Sequence, residues 1–235
     1  MRGHAGDSVR LASRQEGKTA GMSLTLYLHP LSSYCQKVLI ALYEAGAPFA
    51  SVIVDFADPQ SAESFLKLWP VGKIPVLRDA ARDRTVPESS IIIEYLGQHY
   101  PRGTTLIPAE PDLALRTRLA DRFYDLYVHD PMQRIVGDRL RPDGSKDPYG
   151  VEAAKAMLQK SYDLIDVEMA DRTWAAGDAF TLADCAAAPP LFFANKLVPF
   201  GDRHNLSAYF RRLNRRPSVA RAFNEAEPFL KFFPG

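Results

Sequence analysis

Two serines and a cysteine stand where a strand-like run gives way to a helical pattern. Ser32, Ser33 and Cys35 follow the apolar run 24–28 and open the helical spacing of 34–45. A helix N-terminus offers free N–H groups and positive partial charge, which favour an anion such as a thiolate. Either serine is suited to cap this helix, and either hydroxyl could instead donate a hydrogen bond to a bound thiolate and lower its pKa.

Cys35 is a further candidate in the same segment. Ser-Ser-Tyr-Cys over 32–35 has the spacing of a C-x-x-C redox motif with serine in the first place. Because the usual attacking thiol is then missing, we expect Cys35 to be a packed, inert small residue. The chain has two cysteines, Cys35 and Cys185, which are too few for a disulfide framework and lack metal-ligand spacing. A reducing, cytoplasmic setting is therefore expected.

A proline inside a strand-like run marks a second place with chemical potential. The run 71–77 reads Val-Gly-Lys-Ile-Pro-Val-Leu, and proline cannot donate to a strand ladder. A cis Ile74–Pro75 bond would turn the Ile74 N–H and C=O outward, free to pair with an extended peptide ligand. An ordinary edge-strand proline explains the same run equally well.

Pro87-Glu88-Ser89-Ser90 opens a further predicted helix and is the third place. Ser89 or Ser90 can cap it, and its free N–H groups would bind a carboxylate. Glu88, just outside the helix, could meet an ammonium group, so an amino-acid end would fit this pair. The alternative is a helix cap beside a solvated glutamate.

The composition excludes several broad classes of protein. The 235 residues include 29 basic and 28 acidic side chains, for a net charge of +1, and 46% are hydrophobic. General binding to nucleic acid needs a clustered basic surface, which this balance does not favour. No run approaches the roughly 18 consecutive apolar residues of a membrane span.

The chain divides into parts of different pattern. Residues 1–22 are small, polar and charged, and are predicted to be a disordered leader or a misassigned start. Strands and helices alternate over 23–101, a proline-rich linker covers 102–110, and 111–235 has only helical periodicity. In this helical half, one face of a long predicted helix carries Leu115, Leu119, Phe123, Leu126 and Tyr127.

The three places in this order, followed by a helical half, resemble the glutathione S-transferase superfamily over about residues 23–235. The resemblance implies an α/β plus all-α fold, with an N-terminal thioredoxin-like domain that binds glutathione and an all-helical C-terminal domain that binds the second substrate. The segment 177–184 resembles the family's helix-capping motif. Thr181 and Asp184 stand there in capping-box spacing, with a role in folding.

The resemblance also implies roles for individual residues. Ser32 would hydrogen-bond the glutathione thiolate, with Ser33 and Cys35 as alternatives. Binding of the rest of glutathione falls to the Ile74 backbone ahead of cis Pro75, to Glu88 and Ser89 at the γ-glutamyl end, and to Lys73 at the glycyl carboxylate. The electrophile site would be lined by Tyr34, Tyr124, Tyr127 and His129, although core or surface packing explains these aromatic residues almost as well.

The implied function is that of a cytoplasmic, homodimeric detoxifying transferase. It would activate the glutathione thiolate for attack on small hydrophobic electrophiles, with glutathione as co-substrate and without a metal, a nucleic acid or a membrane as partner. Two alternatives remain open. One is a thiol-disulfide oxidoreductase or deglutathionylase that uses Cys35, and the other is a non-catalytic glutathione-binding interaction module on the same fold.

Overall fold

A four-stranded mixed sheet lies at the centre of the first half. The computed structural model describes residues 22–234, so all of the predicted leader but Met22 lies outside the described residues. The strands are β1 (Leu24–Leu28), β2 (Phe49–Ile53), β3 (Val76–Asp79) and β4 (Arg84–Pro87), in the spatial order β2-β1-β3-β4. β2 runs parallel to β1, whereas β3 is antiparallel to both β1 and β4.

Three helices accompany this sheet: α1 (Ser33–Ala45), α2 (Pro59–Leu68) and α3 (Ser89–His99). α1 begins after its cap Ser32 and ends at Gly46, whose φ of 61° suits glycine. The sequence did not predict α2, because its apolar face is narrow and Phe65 is its one buried residue.

The regular elements of the second half are all helical among the described residues, apart from one isolated bridge between Trp174 and Gly177. Its elements are α4 (Pro111–Phe123), a π-helical segment (Tyr124–His129), α5 (Asp130–Leu140), α6 (Pro148–Glu168), α7 (Leu182–Leu197), α8 (His204–Arg215), α9 (Pro217–Ala226) and a 3-10 segment (Glu227–Phe232). The predicted fold class, an α/β half followed by a helical half, is therefore confirmed. Among residues 22–234, no helix combines the length and the apolar character that crossing a bilayer requires.

The start of the central helix α7 is fixed by a capping box. The Thr181 hydroxyl accepts a hydrogen bond from the Ala183 N–H, and the Asp184 carboxylate accepts one from the Thr181 N–H at 2.8 Å. Asp184 also accepts bonds from the Ala175 N–H at 2.8 Å and the Tyr209 hydroxyl at 2.7 Å. The capping box thus connects α7 to α8 and to the preceding loop. These contacts agree with the role in folding that was expected for Thr181 and Asp184.

The face that the sequence predicted on the long helix exists, but most of it points outward. Leu115 and Leu119 are 67% and 69% exposed, and Leu126 is 46% exposed. Phe123 belongs to the same predicted face, but its side chain is partly buried and packs against the main core. Ile91 on the neighbouring α3 is 54% exposed as well. We call Ile91, Leu115, Leu119 and Leu126 the outer apolar face.

Glu44, near the end of α1, joins the two halves. Arg216 donates two hydrogen bonds to its carboxylate, at 2.7 and 2.6 Å, and the Ser218 hydroxyl donates another. Burial alone would raise the pKa of Glu44, but these bonds hold that pKa below its usual value. The Thr104 N–H donates to the Glu44 carbonyl at 3.1 Å, which draws the linker onto the same point.

We expect Gly103→Ala to destabilise the fold by about 3 kcal/mol, as judged by urea unfolding. Gly103 has a φ of +63°, and a Cβ there would lie 2.3 Å from the Glu44 carbonyl oxygen. Gly144→Ala is the matched control, because Gly144 has a φ of +84° but open space around its Cβ position. The control carries backbone strain alone, of about 1 kcal/mol. Equal losses in the two variants would contradict the close approach.

Candidate active site

The three chemically interesting places meet at one edge of the sheet. Tyr27 of β1 pairs with Val76 of β3, and Val76 pairs with Pro87 of β4. Because these neighbouring strands are antiparallel, the end of β1, the start of β3 and the end of β4 lie side by side. The segments that follow or precede them carry Ser32, Ile74–Pro75 and Glu88–Ser89, which the fold therefore brings together.

Ser32 has the more accessible of the two candidate hydroxyls. It is half-buried, whereas Ser33 is 5% exposed. The Ser32 N–H donates to the His29 carbonyl at 3.0 Å, which fixes the turn between β1 and α1. The Ser32 Oγ accepts a bond from the Cys35 N–H at 3.4 Å, as a helix cap does. This bond uses a lone pair of the oxygen, so the helix cap itself does not consume the hydroxyl hydrogen.

Cys35 lies in the core rather than in the site. Its side chain is fully buried, and burial raises the pKa of its thiol to about 12, against a smaller lowering by hydrogen bonds from Ser32 and His29. A thiol of this kind stays protonated near neutral pH and is a poor nucleophile. Among residues 22–234, no three His, Cys, Asp or Glu side chains are grouped as metal ligands would be.

The segment before β3 presents open backbone groups. The Ile74–Pro75 peptide bond is cis, and the Ile74 N–H and C=O have no partner among the described residues. Pro75 itself is buried, and Lys73 is exposed beside it. The chain thus offers one donor and one acceptor at this point. The ammonium group of Lys73 next to them pairs with no carboxylate of residues 22–234.

The N-terminus of α3 is not capped by either serine, contrary to one expectation from the sequence. Glu88 is the N-cap residue, with a φ of 68° and no capping hydrogen bond from its side chain. The first N–H groups of α3 therefore remain free for an anion. Ser89 is 6% exposed at this end of the helix, while Glu88 is exposed.

Sequence reasoning missed a buried ionic cluster below this helix end. The Lys37 ammonium lies 2.6 Å from an Asp121 carboxylate oxygen and 3.0 Å from one of Asp125. It also donates to the Ser90 hydroxyl at 3.0 Å, and that hydroxyl donates to Asp121 at 2.7 Å. The signals were present: a lysine next to an apolar helical stripe, and two aspartates four residues apart. The cluster fixes α1, α3 and α4 relative to one another.

Tyr34 and His129 form an aromatic pair next to this cluster. Their ring centres are 4.1 Å apart, with Tyr34 on the first turn of α1 and His129 at the end of the π-helical segment. Burial lowers the pKa of His129 to about 4, so the ring is neutral near pH 7. Burial, followed by the charge of Asp125, raises the pKa of Tyr34. The pair is thus an uncharged aromatic surface between the two halves.

The structure does not bring the other two predicted aromatic residues to this pair. Tyr124 is 4% exposed, and it shares a buried hydrogen-bonded group with Tyr209 and Asp184 in the helical core. Tyr127 is 45% exposed, and its ring packs against that of Phe123 at 5.5 Å. Tyr124 and Tyr127 therefore take no part in the aromatic pair of Tyr34 and His129.

The end of the chain reaches the same turn. The Phe229 ring contacts the His29 ring edge-on, with their centres 5.5 Å apart. Phe233 packs on Phe193 of α7 at 4.9 Å, and the Pro234 carbonyl accepts a bond from Arg139 at 2.8 Å. The 3-10 segment therefore spans from the turn before Ser32 to the end of α5. Sequence periodicity gave no indication of this contact, because it depends on tertiary packing.

Comparisons with known families match both halves of the chain. The model described as "Glutathione S-transferase, N-terminal domain" matches residues 26–105, and that described as "Glutathione S-transferase, C-terminal domain" matches residues 123–217. Together these matches include the sheet edge, the π-helical segment and the capping box.

Individual relatives agree with this match. Glutathione S-transferase GstB of Escherichia coli (strain K12) is 27% identical over 199 residues, which are 83% of this chain and 95% of the relative. A Stringent starvation protein A homolog of Histophilus somni is 30% identical over 212 residues, 87% and 92% of the two chains. The glutathione transferase URE2P8 from Phanerochaete chrysosporium, solved with oxidized glutathione, superposes with a TM-score of 0.78 at 21% identity. That superposition covers 89% and 97% of the two chains.

We expect Cys35 in the folded protein to resist alkylation by iodoacetamide at pH 8.5, because its thiol is buried and its pKa is raised to about 12. The unfolded chain in guanidinium chloride, where a thiol has its ordinary pKa near 8.5, should react at this residue. Peptide mass spectrometry separates Cys35 from Cys185. Rapid labelling of Cys35 in the folded protein would show an accessible thiolate.

Proposed function

The chain belongs to the glutathione S-transferase superfamily, and we propose that it is a transferase that activates glutathione for attack on small hydrophobic electrophiles. The observation that carries this proposal is the meeting of three groups at one sheet edge. These are the Ser32 hydroxyl, the unpaired backbone of Ile74 and the uncapped N-terminus of α3. They suit, in turn, the thiol, the cysteinyl peptide groups and the γ-glutamyl end of glutathione.

In this proposal, Ser32 stabilises the thiolate of bound glutathione. Its oxygen accepts a bond from the Cys35 N–H, and the sulfur of bound glutathione would accept the hydrogen bond that the hydroxyl donates. The positive end of α1 acts in the same direction, so both lower the pKa of the thiol from about 8.5. More of the attacking thiolate then exists near neutral pH. The groups are fixed before binding, so little reorganisation is needed.

The remainder of glutathione is held by charge and by backbone hydrogen bonds. The γ-glutamyl carboxylate binds the free N–H groups of α3 and the Ser89 hydroxyl, while Glu88 pairs with its ammonium group. Ile74 forms two backbone bonds with the cysteinyl residue, as in strand addition. Lys73 is exposed next to it and attracts the glycyl carboxylate.

The second substrate binds against the Tyr34–His129 pair. The neutral rings favour an apolar or aromatic molecule over an ionic one. The thiolate forms a bond to an electrophilic carbon, and either a halide departs with its electron pair or the electrons move into a conjugated system. The enzyme contributes proximity and thiolate stabilisation, and forms no covalent intermediate of its own. A cytoplasmic location, where glutathione is abundant and reduced, belongs to the same proposal.

Two observations weigh on the alternatives. A thiol-disulfide enzyme that uses Cys35 would need an accessible, low-pKa thiol, and the burial of this residue argues against one. A non-catalytic binding module remains the second candidate. It is favoured by the 30% identity to a relative whose name describes no transferase. Such a module would bind glutathione without turnover, which the next experiment distinguishes.

Ser32→Ala is expected to lower kcat for conjugation of 1-chloro-2,4-dinitrobenzene by about 100-fold, because the hydrogen bond that keeps the bound glutathione ionised as a thiolate is lost. The Kd for glutathione should change by less than about threefold, since its other contacts remain. Spectrophotometric turnover and calorimetric binding measure the two effects. Thermal unfolding is recorded in parallel, because a lost helix cap also costs about 1 kcal/mol.

Ser33→Ala is the matched control, since Ser33 is adjacent but 5% exposed. It should retain nearly full turnover. Full activity of Ser32→Ala together with a large loss in Ser33→Ala would transfer the role to Ser33. Binding of glutathione by the wild-type protein with no turnover on several electrophiles would favour the non-catalytic module.

We propose that the outer apolar face forms a homodimer interface. The helices that carry Ile91, Leu115 and Leu119 are joined by the Arg118–Glu94 pair at 2.8 Å and by the Ser90–Asp121 bond at 2.7 Å. Contiguous exposed leucine and isoleucine side chains are uncommon on monomers. A two-fold axis would cover this face with the same face of a second copy.

Leu119→Arg is expected to convert the dimer to a monomer, because it places a charge in a desolvated interface. Light scattering after size-exclusion chromatography measures the mass. Leu164→Arg is the matched control, since Leu164 is 47% exposed on α6, outside the outer apolar face. The interface assignment fails if wild-type protein is monomeric at micromolar concentration, or if Leu119→Arg remains dimeric.

A further inference from the structure

We propose that the chain has a second ligand site, at the junction of its two halves, which takes a small apolar monocarboxylate. A cavity of about 300 Å³ lies between the last turns of α1 and α3, the linker 100–107 and Arg118 of α4. Its volume is at the lower end of the range for small-molecule sites. It is therefore sized for a single ring with a short chain.

This cavity is separate from the proposed glutathione site. Ser32 and Ser89 lie at the N-termini of α1 and α3, whereas the cavity touches Ala45 and Gly97 near the other ends of these helices. At 1.5 Å per residue, the nearest lining residues are Ala41, about 14 Å from Ser32 along α1, and Ile93, about 6 Å from Ser89 along α3. A ligand in one site does not occupy the other.

Small residues keep the cavity open. Ala41 and Ala45 of α1 form part of its floor and are 1% and 6% exposed, together with Leu106 at 9%. Gly97 lies within α3, where glycine costs about 1 kcal/mol relative to alanine. A Cβ at Gly97 would meet no atom within 4 Å, so close packing does not demand glycine there. A larger side chain at this position would project into the open space.

The charges around the cavity favour an anion. Arg102 and Arg118 line it, against the single carboxylate of Glu94. Arg118 uses its Nε and Nη2 to bind Glu94 at 2.8 and 3.0 Å, and its Nη1 has no acceptor among the described residues. The Glu44 carbonyl at the end of α1 is already paired with the Thr104 N–H. A carboxylate can therefore bind the free side of Arg118, while the apolar body lies on the alanines and Leu106.

The test uses the full-length protein and 3-phenylpropanoate as the probe, with 3-phenylpropanamide as its uncharged counterpart. Isothermal titration calorimetry should show saturable binding of the carboxylate, and binding about tenfold weaker for the amide. Saturating S-hexylglutathione, which occupies the proposed catalytic site, should leave the Kd of the carboxylate unchanged. Loss of carboxylate binding under that condition would place the probe in the catalytic cleft and overturn the second site, while supporting the glutathione site.

Gly97 is an exposed residue that lines the cavity, so Gly97→Leu narrows it and should weaken carboxylate binding at least about tenfold, with turnover of glutathione unchanged. Gly137→Leu is the matched control, because Gly137 lies within a helix, also has open space at its Cβ position and does not line this cavity. It should bind within about twofold of wild type. Equal binding by both variants would overturn the proposal, as would the absence of saturable binding by the wild-type protein.

A double variant, Glu94→Gln with Arg118→Gln, keeps the inference testable if Gly97→Leu does not fold. It removes both charges of an exposed pair, whose loss has little effect on stability. The preference for the carboxylate over the amide should then disappear. A preference that persists in this variant would show that Arg118 does not hold the carboxylate.

Discussion

The ammonium group of Lys37 is buried where α1, α3 and the long helix of the second half meet. A buried charge is costly unless it is fully paired, and two aspartates and a serine hydroxyl surround this one. If these helices separated, the charges of Lys37 and the two aspartates would lose their partners. The cluster therefore specifies how the two halves pack against each other. The Ser90 hydroxyl belongs to the same cluster and lies one residue beyond Ser89. The orientation of the α3 N-terminus is therefore set by buried interactions within the protein itself.

Local chemistry explains which parts of this structure could be predicted from the sequence. The cap at Ser32, the left-handed Gly46 and the capping box at Thr181 each depend on residues within four positions of one another. The spacing of the hydrophobic residues predicts the alternation of strands and helices, and this alternation predicts the fold class. Helix α2 was missed because a helix with one buried side chain has almost no apolar period to detect.

Other features depend on tertiary packing, which the spacing of hydrophobic residues along the sequence does not describe. Leu115 and Leu119 were correctly placed on one face, but spacing does not say whether a face is covered by its own chain. Tyr124 and His129 were grouped together by the family resemblance, which does not say how each side chain packs. In the structure, Tyr124 lies in the core and His129 packs against Tyr34. The Lys37 cluster joins residues 88 positions apart, a distance beyond any local pattern.

The contact between Phe229 and His29 links the 3-10 segment to the turn that follows β1, although the two residues are 200 positions apart in the sequence. During synthesis on the ribosome, the sheet and its three helices can form early, but the turn before Ser32 gains its aromatic neighbour only after residue 229 has been made. The nascent protein therefore has a formed sheet edge before the aromatic contact beside it exists. Cleavage before residue 227 would remove the same aromatic neighbour from the turn before Ser32 in the mature protein.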